Sequence, residues 1–114
     1  MLFAACNSAV SQDTQKITEF DVKKDTDAVL IDVRTPEEFS KGHLPGAENI
    51  NVYDKDFKNR FSGFDKKETI YVYCRSGRRS LKAQHMLQQL GFLKVINLEG
   101  GFLAWKAAEK PIER

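Results

Sequence analysis

The sequence predicts an α/β domain built on a mostly parallel sheet, and three observations carry that reading. Near-continuous apolar runs recur at AVLIDV (residues 28–33), TIYVYC (69–74) and KVINL (94–98). Runs of this kind suit strands covered on both faces. Segments with helical start and stop signals fall between them, the alternation of a βαβ chain. Finally, 114 residues make one domain, long enough to bury a single core without staples.

Taken in order, residues 1–16 read as a flexible N-terminal tail and 17–114 as the domain. MLFAACNS is an apolar run ending in Ala4-Ala5-Cys6. It is similar to the end of a bacterial lipoprotein signal, though it lacks a charged leader and a full apolar segment. Two localisations stay open: a periplasmic lipoprotein of the cell envelope if Cys6 is lipidated after a longer signal, or a cytoplasmic protein with a plain tail. KITEF (16–20) and ENINV (48–52) add two weaker strands, which brings the sheet to five. TPEEFSKG (35–42) has Thr35 as N-cap, Pro36 at the first helical position, Glu38 at the capping-box place and Gly42 at its close. SLKAQHMLQQLG (80–91) reads as a helix starting near Ser80, with an apolar stripe of Leu81, Ala83, Met86, Leu87 and Leu90 and a stop at Gly91. GGFLAWKAAEK (100–110) gives a final helix that ends before Pro111.

Composition excludes several classes. A net charge of +2 is too small to argue for nucleic acid or an acidic membrane surface. No run approaches the length of a spanning helix. His43 and His85 stand alone, so no Cys/His cluster has metal-ligand spacing, and neither a metal nor a cofactor is expected. The two cysteines, Cys6 and Cys74, make no disulfide framework. Nothing demands more than a monomer.

The chemistry gathers at CRSGRRS (74–80). Open parallel sheets present ligand sites at the carboxyl ends of their strands, and Cys74 ends a strand. The loop behind it runs into a helix start, which offers unpaired N–H groups and the positive end of the macrodipole. Arg75, Arg78 and Arg79 add permanent cations, and Gly77 lets the loop curl so that its amides converge. Each feature favours a thiolate, and cysteines so placed fall from about 8.5 to between about 3.5 and 7.5. Such a thiolate is a nucleophile without a histidine base, in a cradle that also fits a small dianion.

At this point the chain resembles a single-domain rhodanese, a thiosulfate sulfurtransferase. CRSGRRS is similar to that family's active-site loop. IDVRTPEEFSKGHLPGAENI (31–50) resembles its upstream signature, and NLEGGFLAW (97–105) its closing Gly-Gly-x-x-x-Trp segment. The likeness runs from Ile17 to about Lys110. It implies a central, mostly parallel five-stranded sheet with helices on both faces. It also implies that Cys74 takes the outer sulfur of thiosulfate as a persulfide, expels sulfite and passes the sulfur on. The acceptor would be cyanide in the assay and a small thiol or thioredoxin-like dithiol in the cell.

By the same resemblance, the backbone N–H groups of Arg75, Ser76, Gly77, Arg78, Arg79 and Ser80 cradle the persulfide, and Arg75 and Arg79 lead in orienting the donor. Relatives that prefer 3-mercaptopyruvate resemble a less charged Cys-Gly-Ser-Gly-Val loop, so the arginines here favour thiosulfate. Phosphatases and arsenate reductases of this fold place an arginine after five intervening residues, where this chain has Ser80. A persulfide carrier or docking module loaded by a partner protein is the other alternative.

The remaining polar residues read mostly as structural. Asp32 and Arg34, at the end of the first strong strand, support the site as an ion pair or turn anchor, with Glu38 a candidate partner of Arg34. His43 suits a turn hydrogen bond. Trp105, Tyr71 and Tyr73 read as packing, Phe61 and Phe64 as an ordinary buried staple or as flanks of the pocket entrance, and Gly100 and Gly101 as a close backbone approach on the rim of Cys74.

Overall fold

Alternate residues of the run from Thr69 to Cys74 enter two different cores, which is how a strand with no polar face behaves inside a layered domain. In the computed structural model, which describes residues 13–24 and 27–114, five strands form one sheet. They are β1 (Thr14–Lys16), β2 (Val29–Asp32), β3 (Glu48–Asn49), β4 (Thr69–Tyr73) and β5 (Lys94–Glu99). The order is β1-β5-β4-β2-β3, and every neighbouring pair is parallel. Three α-helices follow strands: α1 (Pro36–Ser40), α2 (Arg78–Gln89) and α3 (Gly101–Ala107).

On one face Ile31, Ile70, Val72 and Val95 pack with Ala83 and Leu87 of α2, together with Phe57, Phe61 and Phe92. On the other, Leu30, Tyr71, Tyr73, Ile96 and Leu98 pack with Ile17, Leu44 and Trp105 of α3. The expected sheet with helices on both faces is therefore present. Phe61 is a core residue, ringed by Phe57, Phe64 and Phe92, with centroids 5.0, 5.0 and 6.0 Å away.

The first strand, the tail boundary and two details of α2 differ from expectation. The first strand is Thr14–Lys16 and not KITEF; Ile17–Glu19 is a single 3-10 turn. The cause is spacing, since the two apolar anchors Ile17 and Phe20 lie three apart, the period of a helical turn, and both are buried. This strand pairs Thr14 with Asn97, so three residues assigned to the tail belong to the sheet. Cys6 and its lipoprotein-like context lie outside the described residues.

Four of the five expected stripe residues of α2 meet the core, Ala83 and Leu87 buried and Met86 and Leu90 partly buried against it, and the exception is Leu81. Ser80, Ala83, Gln84 and Leu87 are buried, while Leu81 is exposed. Two polar residues hold that face because each has a partner: Ser80 serves the site below, and Gln84 Nε2 donates to the carbonyls of Asp13 (2.7 Å) and Val95 (2.8 Å). The helix begins at Arg78, two residues earlier than expected.

Candidate active site

The β4–α2 connection is short, and its geometry is fixed from both ends. Cys74 follows the last residue of β4 and is 1% exposed, packed on the Ile31–Val72–Ala83 face. Gly77 lies at φ 117°, the left-handed region, and is the N-cap of α2 with no side-chain cap bond. Its N–H donates to Cys74 Sγ at 3.0 Å, and the amide of Ser80, the third residue of α2, supports the same sulfur, so the sulfur takes the place of a serine or aspartate cap. Ser80 Oγ lies 3.5 Å from the same sulfur.

Burial of Cys74 pushes its pKa up. The Ser80 hydroxyl and the amides of Ser80, Gly77 and Ser76 outweigh burial and bring the thiol below its ordinary value. The leading support of the thiolate is therefore hydrogen bonding. The cations expected to share that work stand farther back. Arg75 and Arg78 are exposed on the rim. Arg79 is bound in a two-point ion pair by Glu38, with Nη1–Oε1 2.8 Å and Nη2–Oε2 3.0 Å.

The wall behind the loop is the start of α3. Phe102 N donates to Cys74 O (2.8 Å) and Leu103 N to Arg75 O (3.1 Å). Gly101, at φ 61°, lets these backbones meet: a Cβ there would overlap the Arg75 carbonyl and come within 2.6 Å of the Cys74 carbonyl oxygen. This is the close approach expected of the glycine pair.

Asp32 and Arg34 form the anticipated buried pair on the neighbouring strand end. Arg34 Nη2 lies 2.6 Å from Asp32 Oδ2 and also donates to Gly42 O at 2.7 Å. Its guanidinium stacks over Phe102 at 4.4 Å, next to the loop's rear wall. Neither Asp32 nor Arg34 hydrogen-bonds Cys74, and Glu38 is partnered by Arg79 instead of Arg34. His43 Nδ1 lies 3.0 Å from Leu44 O, its ring stacked on Phe39 at 3.7 Å, as suits a turn anchor. Trp105 is 2% exposed, and its Nε1 donates to Pro111 O at 2.7 Å.

Two residues of the site escaped sequence reasoning. Glu38 was visible as a helix cap and as a candidate partner of Arg34, but not as the partner of Arg79, which lies 41 residues away. Asn97 accepts from Ser80 Oγ at 2.5 Å. An asparagine inside the apolar run KVINL carried a signal, since a buried amide needs a partner.

Comparison with known proteins gives the family and the fold. The model of the Rhodanese-like domain family matches residues 17–108. A sulfurtransferase of Allochromatium vinosum is 38% identical over 86 residues, covering 75% of this chain and 78% of that protein. Thiosulfate sulfurtransferase 16, chloroplastic, of Arabidopsis thaliana is 41% identical over 85 residues, covering 66% and 71%. The solution structure of the rhodanese-like domain of the Anabaena protein Alr3790 superposes with a TM-score of 0.79 at 27% identity, over 90% of this chain and 80% of that one. With the family model spanning β2 to β5, the cysteine loop and α3, this chain belongs to the rhodanese-like domain family.

Proposed function

We propose that this protein is a thiosulfate sulfurtransferase that works through a persulfide on Cys74. The observation that carries the reading is the sulfur of Cys74 standing as the cap of α2, with the Gly77 amide on it and the thiol pKa lowered. A thiolate there attacks the outer sulfur of thiosulfate. The S–S bond of the donor breaks, sulfite leaves with the bonding pair, and Cys74 keeps one sulfur as an anionic persulfide. An acceptor nucleophile then attacks that terminal sulfur, and Cys74 departs as the thiolate, ready for another cycle. The reaction needs neither a metal nor an external base.

Each loop element has a part in this chemistry. The amides that support the thiolate also suit the persulfide, whose charge lies one atom further out. Arg75 and Arg78, exposed on the rim, meet the sulfonate end of the donor, and Arg79 joins them only by sharing its bonds to Glu38. Support for sulfur transfer comes from the relatives named for it, and for thiosulfate from the Arabidopsis protein's name. A small thiol or a thioredoxin-like dithiol is the fitting cellular acceptor. Phosphate and arsenate chemistry fit less well, because Ser80 stands where those loops place an arginine and its hydroxyl already lies beside the sulfur.

The test is mass spectrometry of the protein after thiosulfate, with steady-state transfer to cyanide alongside. One added sulfur on Cys74, removed by cyanide, and complete loss of turnover in Cys74→Ser are expected. Loading without repeated turnover would make the protein a carrier. Turnover by Cys74→Ser would overturn the mechanism.

A further inference from the structure

The Ser80 hydroxyl has one proton and three acceptors around it: Asn97 Oδ1 at 2.5 Å, Gly77 O at 3.2 Å and Cys74 Sγ at 3.5 Å. With Cys74 a neutral thiol, the set closes well. The S–H donates to Ser80 Oγ, and the hydroxyl proton goes to Asn97 Oδ1. Ionisation removes the sulfur's proton, and the thiolate becomes the strongest acceptor of the three. The hydroxyl must then turn to sulfur, which leaves Oγ and Oδ1 facing each other at 2.5 Å with no proton between them. Ser80 is 0% and Asn97 6% exposed, so bulk water does not readily supply the missing donor.

We propose that Asn97 is a positioning residue for the nucleophile, its side-chain amide turning over as Cys74 ionises so that Nδ2 donates to Ser80 Oγ and Ser80 donates to sulfur. The thiolate is then held by a chain of donors that reaches across the sheet to β5. Asn97 is well placed for this, since it pairs in register with Val72, two residues before Cys74. An aspartate there could not make the exchange, having only acceptors when ionised, and a leucine could not hold the hydroxyl at all. The inference rests on Cys74 as the reactive thiol of the proposed function, but its test needs only the thiolate and no sulfur transfer.

In ¹⁵N-labelled protein, the Asn97 side-chain amide signals are expected to shift with pH at the midpoint of Cys74 ionisation, measured separately by iodoacetamide alkylation. The shift should vanish in Cys74→Ser and in Ser80→Ala. Asn97→Leu should slow alkylation about tenfold at a pH below the thiol pKa, the equivalent of about one pKa unit, and should add no slowing in a Ser80→Ala background. Amide signals that stay still while Cys74 titrates would overturn the proposal. So would an Asn97→Leu effect of equal size with and without the Ser80 hydroxyl. Should Asn97→Leu fail to fold, the titration of the unaltered chain decides alone.

Discussion

The two strand-to-helix turns that end β2 and β4 lie side by side, with Asp32 in register with Tyr73, yet they spend their hydrogen-bond donors in opposite ways. After β2, side chains take nearly everything. Asp32 Oδ1 accepts the Arg34 N–H at 2.9 Å, Thr35 Oγ1 accepts Glu38 N at 3.2 Å, and Glu38 Oε1 accepts Thr35 N at 3.1 Å. The helix start of α1 is closed by a complete capping box. After β4, the N-cap is a glycine with no side chain to offer, and the cap is the Cys74 sulfur. Donors at a helix start go either to local side chains, which makes an anchor, or to a group that can leave and return, which makes a site. The first turn is built to stay shut, and the proposed function has the second exchange what it holds.

The largest effect should come from opening the closed turn. Arg34→Ala leaves the Asp32 carboxylate 0% exposed without its cation and frees the Gly42 carbonyl. Losing one member of a buried pair costs about 3–5 kcal/mol. Denaturant unfolding should show that loss, whereas the double variant Asp32→Asn/Arg34→Met should lose less than Arg34→Ala alone. A loss below 1 kcal/mol for Arg34→Ala (roughly the worth of a surface pair) would mean that the anchor is not one.

The next effect concerns the wall behind the open turn. Gly101→Ala places a methyl group against the Arg75 and Cys74 carbonyls in a left-handed backbone. The conformation alone costs about 1–2 kcal/mol, and the overlap must push the loop. Since a displacement of about 1 Å can cost about a hundredfold in rate, the variant should lose far more sulfur transfer than stability. Gly46→Ala is the control, because it also sits at positive φ but has no neighbour within 4 Å of the added carbon. Equal kinetic losses in the two variants would show that the clash with the loop is immaterial.

How legible these two turns were differs for a physical reason. The α1 cap, the strand-end thiol and the curling Gly77 are local, set by residues within a few positions of one another, and the sequence displays them. The same holds for the alternation that sends Tyr71 and Tyr73 to one face and Ile70 and Val72 to the other. Contacts across the fold were not legible. Nothing near Glu38 announces Arg79, so the carboxylate offered to Arg34 beside Asp32 goes to a cation 41 residues away. The arginines looked like equal partners of the loop amides in thiolate stability because charge is visible in a sequence and the place where a guanidinium comes to rest is not. The edge strand ends where KITEF begins because Ile17 and Phe20, apolar enough for a strand, are spaced so that a turn takes both into the second core.

The smallest effect, and the one that links the two turns, lies at Glu38, which caps α1 and holds Arg79 of α2. Its carboxyl falls from the ordinary 4.5 to about 2, chiefly because Arg79 bonds it; burial opposes the shift and the Thr35 amide adds to it. A carboxyl lowered on folding adds stability that is fully present above about 4.5 and fades as pH drops toward about 2. Near neutrality the pair is therefore intact, and Arg79 is shared. Glu38→Gln keeps an oxygen for the Thr35 amide but gives up the charge. Its stability deficit at neutral pH should be under about 1 kcal/mol and should shrink between pH 4.5 and 2. Released from its partner, Arg79 can face a dianionic donor, so the KM for thiosulfate should fall by about two- to threefold, a change worth less than about 1 kcal/mol. A KM that rises would mean that Glu38 positions Arg79 for the donor and does not withhold it. In that case the closed turn is itself part of the open one.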